Sequence, residues 1–139
     1  MTQENEPRRK LVSVFRLQVR FADLDINRHV NNVAFFTYME QARVDWLRNT
    51  GMQTTLKGEG PVVVQASCNY RKAISFVDAV DVRLYVGPAG RTSFPTFYEI
   101  VSTKDAHCIY ADGQAIMVWT DRGAGASRPV PDELRALLA

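Results

Sequence analysis

A chain of 139 residues, 46% hydrophobic and 23% charged, is long enough for one ordinary domain and apolar enough to bury a core. A formal net charge of +2 is too balanced for a protein that binds nucleic acid through charge, and no apolar stretch approaches the roughly 20 residues that span a bilayer. Cys68 and Cys108 fit no metal or redox spacing and read as buried thiols, and the two histidines, His29 and His107, form no ligand cluster, so no metal site is expected.

Residues 1–10 are polar and read as a flexible tail, with Arg8-Arg9-Lys10 its solvated basic run. The polar start, Met1 to Pro7, does not resemble a signal peptide, so a cytoplasmic protein is expected. A single domain then fills residues 11–139. Leu11 to Phe21 alternates in part, with Val12, Val14, Leu17, Val19 and Phe21 apolar and Ser13, Arg16, Gln18 and Arg20 between them, which predicts a half-buried strand. The polar junction Asp23-Leu-Asp25-Ile-Asn-Arg-His29-Val-Asn31-Asn32 follows. From Val33 to Arg48 the period changes: Phe35, Met39, Ala42 and Trp46 recur at helical spacing, Phe36 and Leu47 flank them, and Gly51 terminates the helix. Residues 52–61 read as a loop with a turn of helix.

Four β-rich runs come next, Val62 to Ser75, Ala79 to Gly87, Thr92 to Thr103 and Cys108 to Thr120. The links between them are short and turn-like, so the strands should pair mostly as antiparallel neighbours. Residues 121–129 form a Gly/Ala/Ser/Arg linker, and Pro131 to Ala139 a short closing helix. One long helix and about five strands make an α+β domain in which a curved antiparallel sheet wraps the helix. The sheet's second face and its edges are left open, which favours a homodimer or homotetramer.

Chemistry concentrates at the junction. A helix start carries unsatisfied N–H groups and a partial positive charge. A carboxylate beside it can act as base or nucleophile while the amides hold a developing oxyanion. Asp25 lies before the helical pattern proper, and Asn31 or Asn32 is better placed to cap it. Asp23 reads as a structural partner for Arg20 or for a backbone amide. Arg71, Lys72 and Arg91, at or beside strand ends, could pair with phosphates or be ordinary exposed sheet residues. Ser67 and Ser93 sit in no Gly-x-Ser-x-Gly elbow, which disfavours a serine hydrolase.

The element order, with Arg20-Phe-Ala-Asp-Leu-Asp25, His29-Val-Asn-Asn32 and then Glu40 and Arg43, resembles the hotdog-fold thioesterases, and within them the 4-hydroxybenzoyl-CoA thioesterase-like acyl-CoA hydrolases. The resemblance implies hydrolysis of an acyl-CoA thioester, coenzyme A being part of the substrate and no cofactor being needed. It assigns Asp25 as nucleophile or general base and the backbone N–H of Asn32 as oxyanion donor, and leaves His29 open between substrate positioning and loop structure. Gly90-Arg-Thr-Ser93 is similar to the family's turn before the fourth strand, which adds Arg91 and Thr92 to Arg71 and Lys72 as substrate-binding candidates. Two positions depart from the family: its usual Gly before the His is Arg28, which would redirect the loop if positive φ is needed there, and its usual Tyr is Phe35.

Glu40 is the catalytic base in another hotdog branch. Here it lies about 12 Å along the helix from Asn32, too far to share one carbonyl, and reads as a structural partner of Arg43. The acyl chain is expected in an apolar slot between subunits, with Phe35, Phe36, Trp46 and Phe76 as candidates to shape it. Two alternatives stand beside this reading: an acyl-carrier-protein thioesterase, and a non-catalytic acyl-CoA-binding protein. A hotdog transcription regulator would need a DNA-binding segment for which the sequence has no room.

Overall fold

The computed structural model describes residues 8–52, 58–76 and 79–139. Its elements are β1 (Lys10–Gln18), α1 (Asn32–Thr50), β2 (Glu59–Tyr70), β3 (Ala79–Val86), β4 (Ser93–Ser102), β5 (Ile109–Asp121), β6 (Ala126–Ser127) and α2 (Asp132–Leu138). They form one antiparallel sheet in the order β1-β3-β4-β5-β2, with the short β6 on β5. The expected α+β hotdog arrangement of one long helix and a curved sheet is what forms.

Local sequence explains the central elements. In β3, Val80, Val82, Leu84 and Val86 are fully buried and alternate with Asp81, Arg83 and Tyr85, the period of a strand with one face on a core. In α1 the expected stripe of Phe35, Met39, Ala42, Trp46 and Leu47 is buried, joined by Ala34 and Tyr38. Asn31 caps the helix, its side chain accepting the Ala34 N–H at 2.9 Å. Gly51 ends it in the left-handed conformation, φ 77°, with its N–H on the Arg48 carbonyl. Pro131 precedes α2 as the sequence suggested, and Val130, Leu134 and Leu138 bury there.

Several boundaries differ from the sequence reading. Lys10 is already in β1, and residues 1–7 lie outside the described residues. β1 stops at Gln18 instead of running to Phe21, which is 82% exposed. The cause is the Asp23 carboxylate, which accepts the Arg20 N–H and draws residues 21–23 into a 3-10 turn. Asp23 and Asp25 therefore do not share a strand face. The link after β2 is not a hairpin: β2 pairs with β5 and β3 with β1 and β4. Backbone groups of Ile74 and Ser75 find their partners in the junction instead, Val30 N–H donating to the Ile74 carbonyl and His29 bridging Ser75. In the loop read over 52–61, residues 53–57 lie outside the described residues, and β2 begins at Glu59. The linker holds β6, with Ser127 paired to Thr120.

The sheet passes close to α1 at Gly113 of β5. A Cβ there would sit 2.9 Å from the Ser67 carbonyl oxygen and 2.5 Å from Met39 Sδ. Gly113→Ala should lower stability by about 1–3 kcal/mol through overpacking, read as a shift of the denaturant midpoint at constant slope.

Candidate active site

The junction is organised by Asp23. Its carboxylate, 6% exposed, accepts the Arg20 N–H at 2.9 Å, the Arg20 guanidinium at 3.1 Å and the Tyr38 hydroxyl at 2.7 Å. Its carbonyl accepts both the N–H and the side-chain amide of Asn31, each at 2.8 Å. Burial pushes the Asp23 carboxyl up, but the Arg20 amide, the Tyr38 hydroxyl and the Arg20 guanidinium together hold it below its ordinary range. Burial and the adjacent carboxylate raise the Tyr38 phenol strongly.

Beyond Asp23 the chain makes a small hairpin, closed by the Leu24–Val30 bridge. Asp25 N–H donates to the His29 carbonyl at 2.8 Å, and Arg28 N–H donates to the Asp25 carbonyl at 3.0 Å. Asp25 Oδ1 accepts the N–H groups of Asn27 (2.8 Å) and His29 (3.2 Å). Among the described residues Oδ2 has no protein partner, and the side chain is exposed. Arg28 adopts φ 60°, so an arginine holds the left-handed region at the position where the resemblance implied a glycine.

Asp25, His29, Asn32, Arg71 and Lys72, all named from the sequence, line one open cleft of about 330 Å³ with Phe35 and Tyr70. As the first helical residue, Asn32 has no intrahelical acceptor for its N–H, and the Asn31 cap goes to Ala34 instead. Arg71 is tied by Nε to Asp112 at 2.6 Å, and Asn69 holds the other oxygen of that carboxylate at 2.8 Å. The Arg71 hydrogen bond is the main reason the Asp112 carboxyl is lowered. Lys72 Nζ lies 3.9 Å from Cys108 Sγ.

Tyr70 was not singled out by the sequence. Its hydroxyl donates to the Asn32 carbonyl at 3.0 Å, and its ring meets Phe35 edge-on with centroids 5.0 Å apart. The sequence run Val62 to Ser75 gave no hint of it, because Tyr70 falls inside that run and only the structure ends β2 there.

Other expected residues lie elsewhere. Arg91 and Thr92 are outside this cleft, at the β3–β4 turn, where their carbonyls accept the N–H groups of Val130 and Trp119. Glu40 and Arg43 are not paired: Arg43 donates to the Tyr98 hydroxyl at 3.1 Å, a partner on β4 that helix spacing could not reveal. Trp46 is core and Phe76 is exposed. Both cysteines are half-buried rather than fully buried, and burial raises the Cys68 thiol.

The model of the thioesterase-like superfamily matches residues 19–138. Among solved structures, a provisionally named thioesterase of Pseudomonas aeruginosa, PA2801, is 35% identical with a TM-score of 0.87, covering 94% of this chain and all of its own. A provisionally named acyl-CoA thioesterase of Xanthomonas campestris is 30% identical with a TM-score of 0.76, covering 87% of this chain and all of its own. The 1,4-dihydroxy-2-naphthoyl-CoA thioesterase of Synechocystis, at 21% identity and a TM-score of 0.79 over 90% of this chain and 93% of its own, shares the fold.

Two outcomes are expected from this geometry. Asp23→Asn should cost about 1–3 kcal/mol by leaving a buried network incompletely satisfied. Because the folded carboxyl is lowered, its contribution is present above the unfolded pKa and is lost as pH falls through the folded value. The stability gap between wild type and Asp23→Asn should thus be constant from about pH 5 to 8 and close below about pH 4. Arg28→Gly should raise stability by about 0.5–1 kcal/mol by relieving the left-handed backbone, measured by denaturant unfolding.

Proposed function

The chain belongs to the thioesterase-like superfamily, and on that premise we propose that it hydrolyses an acyl-CoA thioester to the free acid and coenzyme A. One observation carries the reading: an exposed carboxylate, pinned among the described residues through one oxygen, shares a cleft with the uncapped N–H of a 19-residue helix. Asp25 Oδ2 attacks the thioester carbonyl or takes a proton from the water that does. The Asn32 N–H holds the oxyanion as it forms. Collapse of that intermediate breaks the carbon–sulfur bond. On the general-base route the proton returns from Asp25 to the leaving thiolate. On the nucleophilic route the collapse leaves an anhydride on Asp25, which a water molecule hydrolyses to the free acid and the restored carboxylate, one of its protons going to the thiolate.

The His29 backbone amide fixes Asp25, and its ring forms part of the cleft wall. Lys72 and Arg71 meet the anionic coenzyme A portion. Arg91 and Thr92 would serve the cleft of a second copy of the chain, in a homodimer or homotetramer. The enzyme works in the cytoplasm and needs no cofactor.

Asp25→Asn should reduce turnover on acyl-CoA by about 10²-fold or more while leaving the fold and the oligomer unchanged. Free-thiol detection on a panel of acyl-CoAs, with acyl carrier protein esters in parallel, reads this out. Near-normal activity in the variant would sink the assignment of Asp25. Binding without thiol release on every member would favour an acyl-CoA-binding protein, and release from carrier-protein esters alone would reassign the carrier.

A further inference from the structure

The Asp25 carboxylate and the Asn32 amide come from different pieces of backbone, a small hairpin and a helix start. Residues 70–75, where β2 ends, hold both. On the carboxylate side, the His29 bridge to Ser75 and the Val30 N–H on the Ile74 carbonyl, at 2.8 Å, tie down the hairpin. His29 in turn holds Asp25, its N–H donating to Oδ1 and its carbonyl accepting the Asp25 N–H. On the amide side the tie is Tyr70, whose hydroxyl donates to the Asn32 carbonyl at 3.0 Å. Among the described residues no other hydrogen bond joins β2 to α1.

Tyr70 is itself rigidly held. Asn69 and Arg71 point to one face of the sheet and both bond Asp112 of β5, at 2.8 and 2.6 Å. The Arg71 and Lys72 N–H groups both donate to the Tyr110 carbonyl, at 2.8 and 3.0 Å. Tyr70 lies between these anchors and points to the other face, toward α1. Its ring meets Phe35 edge-on, and Phe35 is buried, so the hydroxyl has a fixed direction. Asn32 and Phe35 are three residues apart on one helix face, so the phenol grips α1 at two points of its first turn.

The Asn32 N–H needs that grip. An N–H in the first helical turn has no intrahelical acceptor, and a helix end frays unless it is held. Here the peptide that carries it is bracketed. Before it, Asn31 places its own N–H and its side-chain amide on the Asp23 carbonyl. After it, the Asn32 carbonyl takes the Tyr70 hydroxyl. Resting on the thioesterase reading, we propose that Tyr70 is a positioning residue for hydrolysis. By anchoring the Asn32 carbonyl to the end of β2, it sets the Asn32 N–H at the separation from Asp25 that a thioester carbonyl must bridge. A misplaced donor still lets substrate bind but holds the oxyanion less well, so its cost falls on kcat and not on KM.

The test is kcat and KM on acyl-CoA for wild type, Tyr70→Phe, Asn32→Pro and the double variant. Tyr70→Phe keeps the ring against Phe35 and loses only the hydroxyl. It should lower kcat by about tenfold and leave KM within about twofold. Asn32→Pro deletes the N–H at the first helical position, where proline fits, and Asn31 before it is already extended at φ −68° and ψ 154°. It should lower kcat by about 10²-fold. Adding Tyr70→Phe to Asn32→Pro should then change little, because the amide that Tyr70 places is gone. A role in stability or in substrate contact would instead raise KM or multiply in the double variant. Either result, or a kcat for Tyr70→Phe within about twofold of wild type, overturns the proposal. The Asn32 amide also reports without turnover: its 15N order parameter should fall in Tyr70→Phe from the rigid value of about 0.85. An unchanged order parameter overturns the positioning role, whether or not Asn32→Pro folds. A lowered one in a protein that releases no thiol from any acyl-CoA keeps the positioning role and sinks hydrolysis alone.

Discussion

A buried charge sets the terms for this fold. The Asp23 carboxylate is out of water, and a carboxylate in that position persists only when its oxygens are satisfied. Its partners come from the end of β1 (Arg20) and from the second turn of α1 (Tyr38), while its own carbonyl holds the helix cap, Asn31. One residue therefore joins the first strand, the turn and the helix start. These pieces assemble together because each leaves a buried polar group orphaned without the others. The position of the α1 N-terminus relative to the sheet, on which the cleft depends, follows from that closure.

The contrast with Asp25 is the chemical core of the site. Two aspartates lie two residues apart, but one is buried with both oxygens engaged and the other is exposed with, among the described residues, Oδ1 alone engaged. A carboxylate satisfied on both sides has nothing left to offer a substrate. One held by two backbone amides through a single oxygen is oriented and still has a reactive oxygen. Environment, not residue type, separates the structural acid from the candidate catalytic one. The helix start shows the same economy: Asn31 caps through Ala34, so capping and presenting the Asn32 amide do not compete.

What the sequence disclosed and withheld divides along contact range. The α1 stripe, the alternation in β3, the Gly51 stop and Pro131 before α2 are encoded within a few residues, and each was readable. So was the structural role of Asp23, whose partner Arg20 is three residues away. Five residues of the cleft were also named, because the motif is nearly contiguous and Arg71-Lys72 follows a strand end. Tyr70 and the Arg43–Tyr98 bond were hidden, since each joins elements whose proximity only the strand order β1-β3-β4-β5-β2 creates. The same order hid the crossing after β2. A short link resembles a hairpin until Ile74 and Ser75 are seen to bond to the junction rather than to each other's strands.

Arg28 shows how tightly that junction is determined. An arginine in the left-handed region costs about 1–2 kcal/mol, and a loop free to relax would avoid it. This one is clamped at both ends, by the Leu24–Val30 bridge and by His29 against Ser75. Within the clamp, the Arg28 N–H must reach the Asp25 carbonyl while the His29 N–H reaches Asp25 Oδ1. With Arg28 left-handed, both bonds form. The strain is therefore concentrated one residue from an amide that aims the candidate catalytic carboxylate. The surrounding bonds, not the residue's own preference, decide the path.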